Sequence, residues 1–508
     1  MFDQFNDPIV TSMTQNSTVH DLLIIGGGIN GVGIAADAAG RGLDVVLCET
    51  NDLASATSSA STKLIHGGLR YLENYEFSLV RKALAEREVL LRNAPHIITP
   101  MRFQLPHMPH LRPRWMIRLG LYLYDFLSKR VTLPASKSLK FSADSPLKNS
   151  LSHGFQYYDA WVDDARLVVL VAMQARAHGA QIYVQKKCIK AQERDGLWHV
   201  TLQDSLSGET QSVQARAVVN AAGPWVDIVA STVLPSKPHE PIRLVKGCHI
   251  VVPRLYVGDQ AFLLQNSDNR VVFAIPYEDD FTLIGTTEED LHGDPATAAI
   301  ADWEIDYLLD ISNSYFKAQI RKEDVVHVFA GVRPLLSGED ESASEASRDY
   351  TLALDTSGAP LLSIYGGKIT TYRRLAESAL EKLRDVFPNM GKPWSEAAAL
   401  PGGDFSTQES LLTTLKLQYS WLPDALLSRW VSSYGTLVEQ ILVGVDSLAG
   451  LGNEFGAGLY QREVDYLIEQ EWAHTSEDIL WRRTKLGLRF SAAQREALEH
   501  YLTMRTSS

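Results

Sequence analysis

An apolar run at 22–25, a glycine-rich turn, an alanine-rich stretch of helical character and a second apolar run ending at Glu49 form the first strongly patterned region of the chain. Strand, helix and strand in that order open a βαβ unit. Farther on, VDDARLVVLVAMQARAHGAQIYV predicts an amphipathic helix from about Asp163, started by acidic residues and stopped at Gly179, and then a third parallel strand. Three alternating segments follow, KKCIKAQERDG, LWHVTLQDSLSG and ETQSVQARAVVNAAG, with turns at Asp195-Gly196 and Ser207-Gly208. They predict an antiparallel meander that feeds a strand over 217–219.

From 242 to 332 the pattern is again short apolar strands with turns, as in GCHIVVP, RVVFAIPY and FTLIGTTEED. A second sheet is expected there, forming a wall that faces a substrate. APLLSIYGGKITTYRRLAESALEKLRD repeats the strand, glycine turn and helix of the first unit, and predicts a last βα unit closing the first domain. Beyond Pro393 the linker KPWSEAAALPGGDF leads into a region that reads as helix from Ser406 on.

Composition bounds the class. The chain has 508 residues, 45% hydrophobic and 21% charged, which excludes a disordered or collagen-like polymer and leaves room for several domains. Its three cysteines, Cys48, Cys188 and Cys248, show no CxxC spacing, so neither a disulfide framework nor a structural metal site is expected. The first 20 residues lack the features of a signal or transit peptide and predict a loose arm. No apolar run approaches the roughly 18 residues needed to span a bilayer. A net charge of -13 argues against nucleic acid as a general partner.

The glycine turn carries the first candidate chemistry. Gly26 allows the tight turn, Gly28 admits a pyrophosphate to the backbone, and Gly31 lets the helix sit close to the sheet with its N-terminus facing the anion. Glu49 falls where a carboxylate can bind a ribose 2′-hydroxyl and repel a 2′-phosphate, so FAD or NAD is expected rather than NADP.

One local patch opposes the overall charge. Between Met101 and Lys140 stand Arg102, Arg112, Arg114, Arg118, Lys129, Arg130, Lys137 and Lys140, against the single acid Asp125. Within it, Trp115, Leu119, Tyr122, Leu123 and Phe126 share a helical face, with Arg114, Arg118, Asp125 and Lys129 turned elsewhere. That pattern suits an interfacial helix drawn to anionic lipid, and equally a helix packed on the protein's own core.

GGGINGVGIAADAAGRGLDVVLCE, TSSASTKLIHGGLRYLE, NAAGPWVD, FAGVRPLL and YGGKITTYR together resemble the FAD-dependent glycerol-3-phosphate dehydrogenases of the bacterial aerobic type, as do LPGG and LWRRTKLG nearer the C-terminus. The resemblance implies an α/β fold: a Rossmann-like FAD-binding domain of the D-amino-acid-oxidase kind, an interleaved antiparallel substrate domain, and an all-α C-terminal domain. The division expected is an arm at 1–19, an oxidoreductase region at 20–390 and a helical domain at 400–508. FAD-binding segments fall at about 20–75, 160–228 and 355–385, and substrate segments at about 95–158 and 240–350. It further implies oxidation of sn-glycerol 3-phosphate to dihydroxyacetone phosphate, with electrons passed from FAD to a membrane quinone. Peripheral attachment to the cytoplasmic face of the inner membrane is expected, and a homodimer is left open.

Removing a hydroxyl proton and a hydride from a phosphate ester requires a base, fixed positive charge and a held substrate. His249 is the candidate base, and Arg333 the group that stabilises the developing alkoxide. Arg70, Tyr71, Arg348 and Lys368 are candidates for the phosphate, because guanidinium and ammonium groups suit a dianion. For FAD the candidates are Gly26, Gly28, Asn30, Gly31 and Glu49 at the first turn. Ser58, Ser59, Ser61, Lys63, Leu64, His66, Gly67 and Gly68 follow from SSASTKLIHGGLRY. Ala222 and Gly223 are assigned to the adenine side, and Gly366, Gly367, Lys368, Ile369 and Thr370 to the flavin ring. A soluble flavin oxidase, a nicotinamide dehydrogenase and a non-catalytic flavin-bearing scaffold are the competing readings.

Overall fold

The computed structural model describes residues 18–72, 75–109, 111–234, 242–266, 268, 270–336 and 349–506, with the backbone alone at Arg70 and Thr506. Of the expected N-terminal arm only 18 and 19 are described, and Val19 already belongs to the first strand.

Val19–Ile25 lies at the centre of an eight-stranded sheet. It pairs in parallel with Val45–Cys48 on one side, Leu22 opposite Val45, and with Thr210–Asn220 on the other, Ile25 opposite Asn220. Gln181–Tyr183 extends the sheet beyond Val45–Cys48, and Leu361–Gly366 extends it beyond Thr210–Asn220. The meander forms as the turns predict: Lys186–Arg194 and Leu197–Asp204 pair antiparallel and lead into Thr210–Asn220. The three strands whose C-terminal ends matter here, at Ile25, Asn220 and Gly366, therefore finish side by side. Ligands of open parallel sheets bind at such strand ends.

Helix Ile29–Gly40 follows the first strand, and helix Asp164–Ala177 packs beside it. The Asp163 carboxylate caps the latter by accepting from the Arg166 N–H at 3.1 Å, as the acidic start predicts. This helix is not amphipathic, however: every residue from Asp164 to Ala175 is buried. Its second face is covered by the C-terminal domain, whose Trp430, Tyr434, Leu467 and Ile479 share one hydrophobic core with Val168 and Leu170. A helix covered on both sides has no solvent face to keep polar.

The second sheet has ten strands and is assembled from distant segments. Ile242–Pro253 pairs antiparallel with both Phe281–Gly285 and His327–Leu336, while Ile98–Pro106 pairs with His153–Val162. Leu64–Ile65, from the middle of SSASTKLIHGGLRY, joins its edge against His153–Val162. That segment therefore bridges the two sheets. The C-terminal region is built mainly from helices Gln408–Gln418, Asp424–Tyr434, Gln461–Glu471 and Ala492–Thr506. To the helices foreseen there the structure adds a hairpin, Glu454–Gly456 with Leu459–Tyr460, and a π-helical turn at Asp478–Arg483.

Candidate active site

The turn after the first strand is packed too tightly for side chains. Gly26 has φ +114°, and a Cβ there would lie 2.5 Å from the Ala221 carbonyl oxygen; a Cβ on Gly31 would lie 1.9 Å from that of Gly26. The Ala222-Gly223 turn abuts Gly26 from the neighbouring strand end, as small residues permit. Gly28 occupies the extended N-cap position without a capping side chain. The Ile29 N–H instead donates to Ser58 Oγ at 3.0 Å, which brings the 58–71 segment onto the helix N-terminus. Glu49 accepts the N–H of Gly27 at 2.6 Å and that of Asn51 at 2.9 Å. Burial raises its pKa, and these N–H bonds work in the opposite direction.

A cavity of about 1080 Å³ begins at this helix start, with Ile29, Thr57 and Ser58 on its wall. Thr62, Leu64, His66, Gly68 and Tyr71 continue one side; Gly366, Gly367, Lys368, Ile369 and Thr370 contribute another. The second sheet supplies Gln265, Phe273 and Arg333, and the link after its strand Phe281–Gly285 adds Thr286 and Glu288. Helix Arg114–Phe126 lies at the same cavity through Met116, Ile117, Leu119 and Leu123, joined by Tyr75 and Phe77.

That helix packs on the protein through one face and leaves its aromatic face exposed. Leu121, Tyr124 and Asp125 are buried, with Asp125 accepting from the Ser136 N–H and hydroxyl, so the helix is anchored to the protein. Trp115 and Phe126 remain 66% and 64% exposed, and Leu119, Tyr122 and Leu123 are exposed as well. Asp125 is thus an internal anchor, contrary to its expected place on the outer polar face.

Several residues of SSASTKLIHGGLRY turn away from the cavity. Lys63 is buried with Nζ on Asp164 at 2.7 Å, and Ser61 donates to the same carboxylate through its N–H and its hydroxyl. The Ser59 hydroxyl donates to the Ala56 carbonyl. The Gly67 N–H donates to the Tyr124 oxygen at 2.9 Å, and Tyr124 donates in turn to Asp159, which also takes Arg87. Lys63, Ser59 and Gly67 thus have protein partners and lie off the cavity wall, while Ser61, also bonded to Asp164, lies on it. These residues hold the segment so that Ser58, Thr62, His66 and Tyr71 face the cavity.

His249 is 1% exposed and does not reach the cavity surface. Its Nε2 lies 3.0 Å from Thr62 Oγ1, and Thr62 does line the cavity. Its ring stacks on Phe329 at 4.9 Å between centroids. Burial, with Arg333 and then Lys63 adding to it, pushes its pKa well below the usual histidine value, so the imidazole is neutral. Arg333 sits across from Val245, and Gly247 beside it leaves room for its guanidinium, whose Nη2 would lie 3.0 Å from a Cβ there. Its Nη1 lies 3.8 Å from the Glu288 carboxylate, a loose contact. Lys368 precedes the turn Ile369–Thr371 with Nζ 4.3 Å from the Tyr71 ring centroid. Arg70 belongs to the helical turn Leu69–Leu72, and Arg348 lies outside the described residues.

Thr62, Thr286, Glu288, Gln265 and Phe273 were not foreseen. Thr62 stood in a segment already singled out, and its hydroxyl was the available signal. Gln265 and Phe273 come from strands, and Thr286 and Glu288 from the link after strand Phe281–Gly285, whose facing only the second sheet's assembly determines.

These residues fit a dinucleotide flavin. A helix N-terminus whose N-cap residue, Gly28, has no side chain meets a glycine turn, and a carboxylate stands past the adjacent strand. Asn30 Oδ1 is buried with no hydrogen-bond partner among the described residues, although Nδ2 of the same side chain donates to the Gly366 carbonyl. Gly366 and Gly367, at φ +69° and +97°, bring the third turn to the same place.

Residues 21–373 match the family described as FAD dependent oxidoreductase, and residues 394–505 match the C-terminal domain of alpha-glycerophosphate oxidase. The chain is 56% identical over 487 residues to a glycerol-3-phosphate dehydrogenase of Pseudomonas aeruginosa, covering 95% of each. It is 49% identical to the aerobic glycerol-3-phosphate dehydrogenase of Escherichia coli (95% and 97% covered) and 50% identical to a D-erythritol 1-phosphate dehydrogenase of Brucella abortus (94% and 96%). Among solved structures it resembles the glycerol-3-phosphate dehydrogenase of Bacillus halodurans complexed with FAD, with TM-score 0.76, 29% identity, and 96% and 91% of the chains covered.

Proposed function

This chain belongs to the FAD dependent oxidoreductase family, and on that premise we propose that it oxidises sn-glycerol 3-phosphate to dihydroxyacetone phosphate and passes the electrons to a membrane quinone. The observation that carries the reading is the single cavity that joins the helix N-terminus at Ile29 to Arg333, Lys368 and Thr62. Bound FAD supplies the hydride acceptor.

The chain's own residues do the rest. Lys368 and Arg333 give the cavity fixed positive charge, with Arg70 and Tyr71 assigned to the phosphate end. Charge placed before the reaction stabilises an alkoxide without reorganising in the transition state. In its Nδ1-protonated tautomer, His249 accepts the Thr62 hydroxyl proton at Nε2 while Thr62 takes the proton of the substrate hydroxyl. The base thus acts through one intervening hydroxyl, and its burial keeps water from competing for the proton.

The quinone and membrane assignments rest on the exposed aromatic face of helix Arg114–Phe126, which adjoins the cavity, and on the cations around it. An apolar helix face flanked by lysine and arginine binds an anionic bilayer surface. Among the described residues no helix is long and apolar enough to cross a membrane. Attachment is therefore assigned to the surface.

The 50% identity to a D-erythritol 1-phosphate dehydrogenase favours a second substrate of the same chemistry, a polyol phosphate one carbon longer. Anaerobic titration of the flavin-loaded protein with each polyol phosphate tests both readings. Glycerol 3-phosphate is expected to bleach the flavin with the higher kcat/KM. A higher value for erythritol 1-phosphate transfers the assignment, and bleaching by neither removes it.

A further inference from the structure

The π-helical turn Asp478–Arg483 and the residues that follow it belong to the C-terminal domain, yet their side chains reach the first domain. The Asp52 carboxylate, 2% exposed, accepts Arg482 Nε at 2.6 Å and Arg483 Nη1 and Nη2 at 2.8 and 2.7 Å. Arg483 also donates to the Glu471 carbonyl at 2.7 Å, which ties the pair to its own domain. Two positions on, Lys485 pairs with Asp163, the cap of helix Asp164–Ala177.

Asp52 stands in a loop that meets the glycine turn at several points. The Ala54 N–H donates to the Gly27 carbonyl at 3.2 Å, and Leu53 lies 3.0 Å from where a Gly27 Cβ would be. The two oxygens of Glu49 are shared between the same parts, one on the Gly27 N–H and the other on the Asn51 N–H. The loop from 49 to 54 thus holds the carboxylate and the glycine turn in a fixed relation. Its one buried charge is neutralised from the far end of the sequence.

We propose that Arg482 and Arg483 are positioning residues for the cofactor, fixing through Asp52 the loop that sets Glu49 and Gly27 for the ribose and pyrophosphate of FAD. The proposal rests on the FAD reading above. It gives the C-terminal domain a role in cofactor retention, carried by the LWRRTKLG motif. A buried carboxylate that loses one of two guanidiniums draws in water or moves, and the loop, held elsewhere by backbone hydrogen bonds to Tyr183, Gln185 and Lys186, loosens at that point.

The test measures the FAD dissociation constant of deflavinated protein by fluorescence, and backbone hydrogen exchange over 49–54 in that same flavin-free state. Arg482→Gln is the first variant, because Arg482 is 13% exposed at its side chain and Asp52 keeps Arg483. It is expected to raise the dissociation constant about tenfold, within the range of ordinary coupling between sites, and to speed exchange at 49–54. Arg482→Lys, which keeps charge but not the planar fork, is expected to fall between it and the native protein; it carries the test if Arg482→Gln does not fold.

Arg429→Gln is the control, since it breaks the Arg429–Glu463 pair inside the C-terminal domain, at 2.7 Å, away from Asp52. It should lower stability and leave FAD affinity unchanged. Equal loss of affinity in the Arg429 and Arg482 variants, or an Arg482→Gln constant within twofold of native, overturns the proposal. Either result leaves the native protein's FAD binding and substrate oxidation standing, whereas a native protein that binds no FAD overturns the functional reading itself.

Discussion

Thr62 Oγ1 lies 3.0 Å from His249 Nε2, and it is the threonine, not the histidine, that faces the cavity. A buried neutral imidazole is thereby connected to the site through one hydroxyl. Thr62→Val keeps the shape and removes the connection. It is expected to slow anaerobic flavin reduction by roughly 10²-fold, the scale of a lost general base, with FAD content unchanged. Because burial holds the His249 pKa well below 6.5, the rate should show no histidine-like acid limb near that pH. Stopped-flow reduction across pH 5 to 8 checks both statements, and a limb centred near 6.5 would falsify the assignment.

Gly285 offers an independent probe of the same ring. It pairs with His249 across the sheet, and a Cβ there would lie 2.0 Å from His249 Cδ2. Gly285→Ala must therefore displace the imidazole. The expected result is a stability loss of about 1 to 3 kcal/mol, as for other overpacked sites, with flavin reduction strongly impaired and FAD retained. Urea denaturation and reduction kinetics on one preparation separate the two effects.

Acid should destabilise the fold through buried histidines. Burial is the main cause that pushes His96 down to about 3 and His327 to about 4, with His249 lowered as well. In the unfolded chain each binds a proton near pH 6.5, while the folded protein does not. Their contribution is complete above that pH and is lost as pH falls, at about 1.4 kcal/mol per unit for each histidine. Glu278, raised by burial to about 7, has the opposite sign and offsets part of this. A net fall of about 2 kcal/mol from pH 7.5 to 5.5 follows. Urea midpoints at the two pH values test it; Glu278→Gln should steepen the fall.

The exposed rings of helix Arg114–Phe126 should govern membrane attachment. Trp115→Ser and Phe126→Ser are each expected to weaken partitioning onto anionic vesicles by roughly tenfold, the worth of a partly inserted ring. Cofactor content should be unchanged, because neither ring faces the cavity wall. Co-sedimentation with vesicles at low and high salt checks this. Unchanged partitioning of both variants would move the attachment site elsewhere.

The dinucleotide unit was legible because its signals are local. Gly26, Gly31 and Glu49 act within one βαβ stretch, and the structure shows the packing their spacing requires. Lys63 was not legible, since a lysine beside a histidine and two glycines reads the same whether it meets a cofactor or a carboxylate. Only the approach of helix Asp164–Ala177 gives it Asp164. Asp125 misled for the same reason: an acid on an apparently amphipathic helix belongs outside until a loop from a later segment brings Ser136 to it.

By itself the sequence determined the strand-helix units, the glycine turn, the helix Arg114–Phe126 and the identity of the family, because these depend on residues close together along the chain. The tertiary structure alone decided which hydroxyl stands before His249, that Lys63 bonds Asp164, and that Arg482 and Arg483 reach back to Asp52. Those pairings join residues from about 100 to more than 400 positions apart. A charge or hydroxyl carries no mark of its partner until folding removes water from both and leaves each only the other to bond.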